Sequence, residues 1–327
     1  MMNIVLATDD NFVQHCSVVL NSLLSNNKDV KIYILTEGLS KDNVDYLTSL
    51  VERKDGELVI LNVPSTIVQK FPMSALASGH ISVATYYRLF VTSLLPVTVD
   101  KIIYMDCDIV VRGSIKELWE TQLDNLALGA VYQDLGWSDY NLSWERLNIP
   151  REEGYFNAGV LLMNLKKLRE MNFEDKAVSF INDNYNRIIS HDQDVLNALL
   201  YSYIKPLSAK WNYIPMFLNK RLFSLEFPLK YKDKIEELKH SDFSPVIIHF
   251  VSTPKPWAAG CNHPYKTEYY KYLDQDRWHF EEPAFTLPVW IKYHFIPSLR
   301  DFVLSADIFK LAQKRKHRMI RRNCNLD

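Results

Sequence analysis

The stretch Lys101-Ile102-Ile103-Tyr104-Met105-Asp106-Cys107-Asp108-Ile109-Val110-Val111 begins as an apolar run that a fold would bury, then presents two carboxylates two positions apart. It reads as one strand over 101–111. In an extended backbone side chains repeat with period two, so Asp106 and Asp108 point the same way. Two like charges on one side of a buried strand repel, and each is costly to desolvate. A divalent cation removes both costs, because hard ions such as Mn²⁺ or Mg²⁺ take oxygen ligands and often hold substrate phosphates as well. A strand that has simply reached solvent would look the same, so the tripeptide alone leaves both outcomes open.

The first half of the chain alternates short β-rich runs with amphipathic ones. Strand-like segments are 4–8, 31–36 and 58–63, and helical patterns fall at about 12–25, 41–51 and 82–95. This alternation predicts a mainly parallel sheet with helices on both faces. Ligands of such sheets bind at the carboxyl ends of strands, near a switch in strand order. Thr8-Asp9-Asp10-Asn11 and Asp106-Cys107-Asp108 both fall at such ends. Further strands are expected at 127–132, 156–163 and 246–251, and helices at 173–185 and 192–200. The irregular segments 135–153 and 209–244 read either as loops around an acceptor or as surface insertions.

The chain has 327 residues, 47% hydrophobic, 24% charged and 13% aromatic, with a net charge of -1. That is an ordinary globular composition, long enough for a sizeable core. Charge is uneven. Residues 287–327 carry nine Lys and Arg against three Asp, so this tail is near +6 and the remainder near -7. A basic tail following the aromatics Trp278, Phe280, Phe285, Trp290, Tyr293 and Phe295 fits a helix in a membrane interface, or a solvated basic helix. The expected division is 1–273 as the main domain and 274–327 as the extension. The four cysteines have no C-x-x-C spacing, and a reducing compartment is expected. No leader peptide or membrane-spanning run is evident, and no nucleic acid partner is expected.

Four further patches carry polar chemistry. Ala7-Thr8-Asp9-Asp10-Asn11 offers groups for a base or ribose, or a plain helix cap. His80-Ile81-Ser82-Val83-Ala84-Thr85-Tyr86-Tyr87-Arg88 places an arginine among apolar neighbours, where it pairs with a carboxylate or a phosphate. Phe156-Asn157-Ala158-Gly159-Val160 opens an apolar strand with small residues, which suits close approach of a ligand or of a packing element. His191-Asp192-Gln193-Asp194 starts a helix with more polar groups than capping requires. Beyond these, His249 near the end of a strand precedes Lys255, which is held between Pro254 and Pro256. It is either a core histidine or the third member of an Asp/Asp/His metal set. Glycine-rich phosphate loops, H-E-x-x-H and G-x-S-x-G are all missing from the sequence.

Taken in this order, the patches resemble glycosyltransferase family 8, in particular the bacterial lipopolysaccharide galactosyl- and glucosyltransferases, over roughly residues 3–265. The resemblance implies a GT-A fold and retaining transfer of galactose or glucose from a UDP-sugar, with Mn²⁺, or Mg²⁺ in its place, as cofactor. It implies a saccharide or glycolipid acceptor; the basic tail, for its part, leads to the expectation of a cytoplasmic enzyme peripheral on the inner face of the plasma membrane, in contact with anionic lipid. The resemblance implies Asp106, Asp108 and His249 as metal ligands, and Ala7, Thr8, Asp9 and Asn11 around uridine. Arg88, Asn157, Ala158, Gly159, Asp192 and Gln193 would surround the donor sugar, with Gln193 and Asp192 as the catalytic pair. Lys255 would touch the diphosphate. Ser252 stands where the family lid usually has a glycine, and Cys107 fills the middle of the D-x-D, where an aliphatic is frequent. A metal-dependent phosphohydrolase or nucleotidyltransferase, and a glycogenin-like self-glucosylating protein, are the competing readings.

Overall fold

The computed structural model describes residues 1–70, 83–133, 141–218, 236–251, 254–279, 281 and 307–326. Strand β1 (Met2–Ala7) leads through helix α1 (Val13–Asn26) to β2 (Val30–Thr36), and through α2 (Lys41–Glu52) to β3 (Glu57–Asn62). Then come β4 (Lys101–Met105), β5 (Ile109–Val111), β6 (Leu128–Tyr132), β7 (Phe156–Asn164), β8 (Ile204–Pro206) and β9 (Ile247–His249). Seven of these form one sheet in the order β3-β2-β1-β4-β7-β6-β8. Six strands share a direction and β7 alone runs against its neighbours.

The alternating faces of the strands build two cores. Ile103 and Met105 join Ile4, Leu6, Ile32 and Ile34 on one side. Ile102 and Tyr104 join Val5, Tyr33 and Leu35 on the other. Both faces being buried is why these strands read as continuous apolar runs. In α1 the buried residues Val13, Cys16, Leu20, Leu23 and Leu24 recur at helical spacing and form one stripe. Ser40 caps α2 by accepting from Asn43 N at 3.4 Å.

The expected single strand over 101–111 is two strands. The chain leaves the large sheet after Met105, bends through Asp106-Cys107-Asp108, and re-pairs as β5 with β9 in a second, antiparallel sheet. That register sets Ile109 opposite His249. The large sheet also reverses order here: β2 and β3 lie on one side of β1, and β4 on the other. Because β7 is antiparallel, its first residues, not its last, meet the carboxyl end of β4, and Asp106 N donates to Gly159 O at 2.9 Å. The bend, the start of β7 and β9 are thereby gathered at one switch point.

The tail also differs from a free basic segment. Helix Asp307–Cys324 buries Ile320 and Cys324 against the body of the molecule. Lys316 Nζ donates to Asn141 Oδ1 at 3.0 Å, and Arg321 pairs with Glu145 at 2.9 Å. Phe280, Phe285, Trp290, Tyr293 and Phe295 lie outside the described residues, as do Ser252 and His80-Ile81-Ser82.

Candidate active site

Asp106 and Asp108 lie in the β4–β5 bend and His249 ends β9, and one ligand atom from each falls within 4.8 Å of the other two. His249 Nε2 is 3.0 Å from Asp108 Oδ1 and 3.6 Å from Asp106 Oδ2. Its other nitrogen, Nδ1, is 2.9 Å from Asn212 Oδ1. The Asn212 amide is oriented in turn, since its Nδ2 donates to Asn157 Oδ1 at 2.8 Å. An acceptor at Asn212 Oδ1 puts the imidazole proton on Nδ1 and turns the Nε2 lone pair toward the two carboxylates. Three electron-pair donors facing one another, with the histidine's second nitrogen held from behind, suit a divalent cation.

Gly159 is part of this geometry. A Cβ there would overlap His249 Cε1 and stand 2.5 Å from its Nδ1. The absence of a side chain at Gly159 therefore makes room for the histidine of this same chain.

Arg88 stands behind Asp106. It is 4% exposed and lies with its guanidinium 4.3 Å from the centre of the Tyr104 ring. Nη2 reaches Asp106 Oδ1 at 2.6 Å, Nη1 donates to Ala158 O at 2.5 Å, and Nε donates to Thr85 O at 3.0 Å. Asp192 Oδ2 is 2.8 Å from the same Nε without an aligned hydrogen bond, and its Oδ1 accepts from Thr85 Oγ1 at 2.9 Å. Burial pushes the Asp192 carboxyl up to about 6; the Arg88 charge opposes that rise and the Asp106 charge adds to it. Arg88 thus pairs with two carboxylates at the floor of the site.

A cavity of about 320 Å³ opens over these groups. Arg88, Asp106, Asp108, Asn157, Ala158, Gly159, Asp192, Gln193 and His249 all line it, together with Thr85, Gln133 and the Ile214–Met216 turn. Other expected residues are not among those lining it. Asp9 Oδ1 accepts from Asn11 N at 3.0 Å and caps the short turn Asp10–Phe12, which is the capping outcome for that loop. Thr8 is buried and gives its hydroxyl to Asp9 O at 3.2 Å. Cys107 points the opposite way from its flanking aspartates, into the core, with Sγ 3.3 Å from Ala7 O. Lys255 Nζ is 2.5 Å from Asp108 Oδ2 and donates to Phe250 O at 2.7 Å. Burial alone would raise the Asp108 carboxyl, but the Lys255 charge beside it outweighs that and holds the group far below the usual range.

Sequence reading missed Asn212 and Gln133. Gln133 follows β6 directly, so the rule about carboxyl ends of strands would have found it. Asn212 sits in an irregular segment between two buried aromatics, Trp211 and Tyr213, and no local pattern marks it.

A mostly parallel sheet whose order switches beside a cavity of paired carboxylates is the architecture of a GT-A glycosyltransferase. The solved structure of galactosyltransferase LgtC, in complex with donor and acceptor sugar analogs, shares the fold with a TM-score of 0.75 at 24% identity, covering 89% of this chain and 100% of that one. Residues 3–261 match glycosyl transferase family 8, and the chain belongs to that family; it is a hexosyltransferase. General stress protein A of Bacillus subtilis is 30% identical over 287 residues, 85% of this chain and 95% of that protein. Lipopolysaccharide 1,2-glucosyltransferase of Escherichia coli K12 is 28% identical over 286 residues, 86% of this chain and 80% of that one.

Proposed function

We propose that this chain transfers galactose or glucose from a UDP-sugar to a saccharide or glycolipid acceptor, with retention of anomeric configuration, in the synthesis of lipopolysaccharide or another cell-surface glycan. The observation that carries the reading is the convergence of Asp106, Asp108 and His249 with Asn157–Gly159 and Asp192–Gln193 on one cavity. Asp106, Asp108 and His249 would hold Mn²⁺, or Mg²⁺ in its place. The ion would stabilise the negative charge of the departing diphosphate as a Lewis acid.

The remaining roles fall to this chain's own groups. Arg88 neutralises Asp106 from behind, so the acidic pair can form in a buried place. Lys255, already beside Asp108, is a second cation for the diphosphate. Thr8, Asp9 and Asn11 lie at the end of β1 and would hold uridine. Asp192 orients a sugar hydroxyl. Gln193 is an amide and a poor nucleophile, so the acceptor attacks the donor sugar from the face the diphosphate leaves, and the leaving phosphate oxygen takes the acceptor proton.

The test is a panel of UDP-sugars and nucleoside triphosphates incubated with the protein and Mn²⁺. UDP release from UDP-galactose or UDP-glucose is expected, without pyrophosphate or phosphate from the triphosphates. Triphosphate cleavage with intact UDP-sugars would instead make the chain a phosphohydrolase or nucleotidyltransferase.

We also read residues 274–327 as an extension that rests on anionic lipid at the inner face of the plasma membrane. Lys314, Arg315, Arg318, Arg321 and Arg322 are exposed on its helix, beside Met319 at 56% exposure. No described helix is long and apolar enough to cross a membrane. Replacing Arg315, Arg318 and Arg322 by Glu is expected to abolish cosedimentation with vesicles containing phosphatidylglycerol, while transfer to a water-soluble acceptor continues. Unchanged vesicle binding would remove the lipid assignment.

A further inference from the structure

The ion pair Arg146–Asp194 lies outside the cavity, yet both side chains have no solvent exposure and stand 3.0 Å apart. Stability alone does not require such a pair, because packed apolar residues in its place are often neutral or better. Its hydrogen bonds lead to the reaction cavity. Asp194 Oδ1 accepts from Tyr155 Oη at 2.7 Å. Oδ2 accepts from Ile189 N at 2.7 Å and Ser190 N at 2.9 Å, and from Arg146. These bonds hold the turn into His191, whose φ of 49° is in the left-handed region.

The pair also sets a polarity. A carboxylate paired with Arg146 only accepts, so the Tyr155 hydroxyl donates to it. The tyrosine oxygen is then an acceptor for Gln193 Nε2, at 3.2 Å. The other end of that amide, Oε1, is left to Ala158 N at 3.0 Å and Asn157 Nδ2 at 3.1 Å. Without the charge on Asp194, the Tyr155 proton is free to turn to Gln193 Nε2 and oppose the amide orientation that Ala158 N requires.

On its far side Arg146 is held by the segment that the C-terminal helix grips. Arg146 Nε donates to Asn141 O at 2.8 Å, and Asn141 Oδ1 accepts from Lys316. The neighbouring Glu145 pairs with Arg321. Cys324 is buried close enough to feel the charges of Arg146 and Asp194.

We propose that Arg146 and Tyr155 are positioning residues that fix the orientation of the Gln193 amide through Asp194, and that helix Asp307–Cys324 braces them. This rests on the reading of Gln193 as a group of the transfer site. The sequence places Asp194 in a patch with more polar groups than capping requires, but nothing marks Arg146 in the irregular segment 135–153, and only the fold buries the two together.

The experiment compares full-length wild type, Tyr155→Phe, Arg321→Glu and the swapped pair Arg321→Glu/Glu145→Arg. Tyr155→Phe keeps the ring and removes the oxygen between Asp194 and Gln193. Its kcat for UDP-hexose is expected to fall about tenfold, as for a misplaced group at a reacting centre. KM should stay within about twofold and UDP–Mn²⁺ affinity by calorimetry should hold, because the diphosphate site is separate. Arg321→Glu is expected to speed hydrogen exchange at residues 189–193, and the swapped pair to restore protection. Wild-type kcat in Tyr155→Phe overturns the proposal, as does a loss of UDP affinity in step with kcat. So does unchanged exchange at 189–193 in Arg321→Glu. If wild type releases UDP from no UDP-hexose, the donor reading has failed instead, and exchange at 189–193 in the two single variants decides the positioning alone: unchanged protection overturns it and lost protection supports it.

Discussion

Gly159→Ala should inactivate the enzyme while leaving it folded. The added methyl would overlap His249 Cε1, and would stand 2.5 Å from Nδ1 and 2.9 Å from Asp106 Oδ2. Neither backbone has room to yield. Gly159 is in β7, locked to β4, with its carbonyl receiving Asp106 N at 2.9 Å. His249 is in β9, locked to β5, and its ring is held at Nδ1 by Asn212. The imidazole must therefore rotate out of the carboxylate pair. One overpacked methyl costs about 1–3 kcal/mol of stability, a tolerable loss for a chain of this size. Displacing one metal-ligand group by about an ångström costs on the order of 10²-fold in rate.

The measurements are kcat/KM with UDP-hexose and Mn²⁺, calorimetric Mn²⁺ affinity and the thermal midpoint. The second substitution His249→Ala in the Gly159→Ala background should recover midpoint without recovering rate, because it removes the overlapped ring. A Gly159→Ala enzyme with wild-type kcat/KM would mean that the histidine does not stand against β7 during catalysis.

How much of this was legible beforehand depended on whether the governing contacts are local. β1, β2 and β4 are apolar on both sides because both faces of the sheet are covered, so Ile4–Leu6 and Ile102–Met105 announce themselves. The bend at Asp106–Asp108 was hidden for the same reason. Ile109–Val111 is as buried in the second sheet as Ile102–Met105 is in the first, and burial carries no label saying which sheet provides it. β8 was missed because three residues ending in Pro206 give no periodicity to read. In the site, the carboxylates and His249 could be named from residue type and strand-end position. Their partners could not: Asn212 reaches His249 across 37 residues, and Arg146 reaches Asp194 across 48. Such pairs are products of tertiary packing, and one-dimensional spacing does not encode them.

The two aspartates should fail together in rate and separately in stability. A bound Lewis acid contributes several kcal/mol at a developing anion, and about 1.4 kcal/mol is a factor of ten. Asp106→Ala and Asp108→Ala are each expected to lower transfer by roughly 10³-fold at saturating Mn²⁺. Their structural costs differ because their counter-charges differ. Asp106 faces Arg88, which is 4% exposed and keeps Asp192 as its counter-charge when Asp106 is removed. A buried arginine short of one carboxylate is expensive, with breaking a buried pair costing about 3–5 kcal/mol in general. Asp108 faces Lys255, whose side chain is 23% exposed and can turn to water. Asp108→Ala should therefore melt close to wild type, and Asp106→Ala well below it. Asp106→Asn, which keeps an oxygen toward Arg88, should recover much of that midpoint and none of the rate. Thermal melts and Mn²⁺ titrations on the three variants separate the two effects. Wild-type turnover in either alanine variant would detach the carboxylate pair from the chemistry, and equal midpoints would show that Arg88 does not depend on Asp106 for its burial.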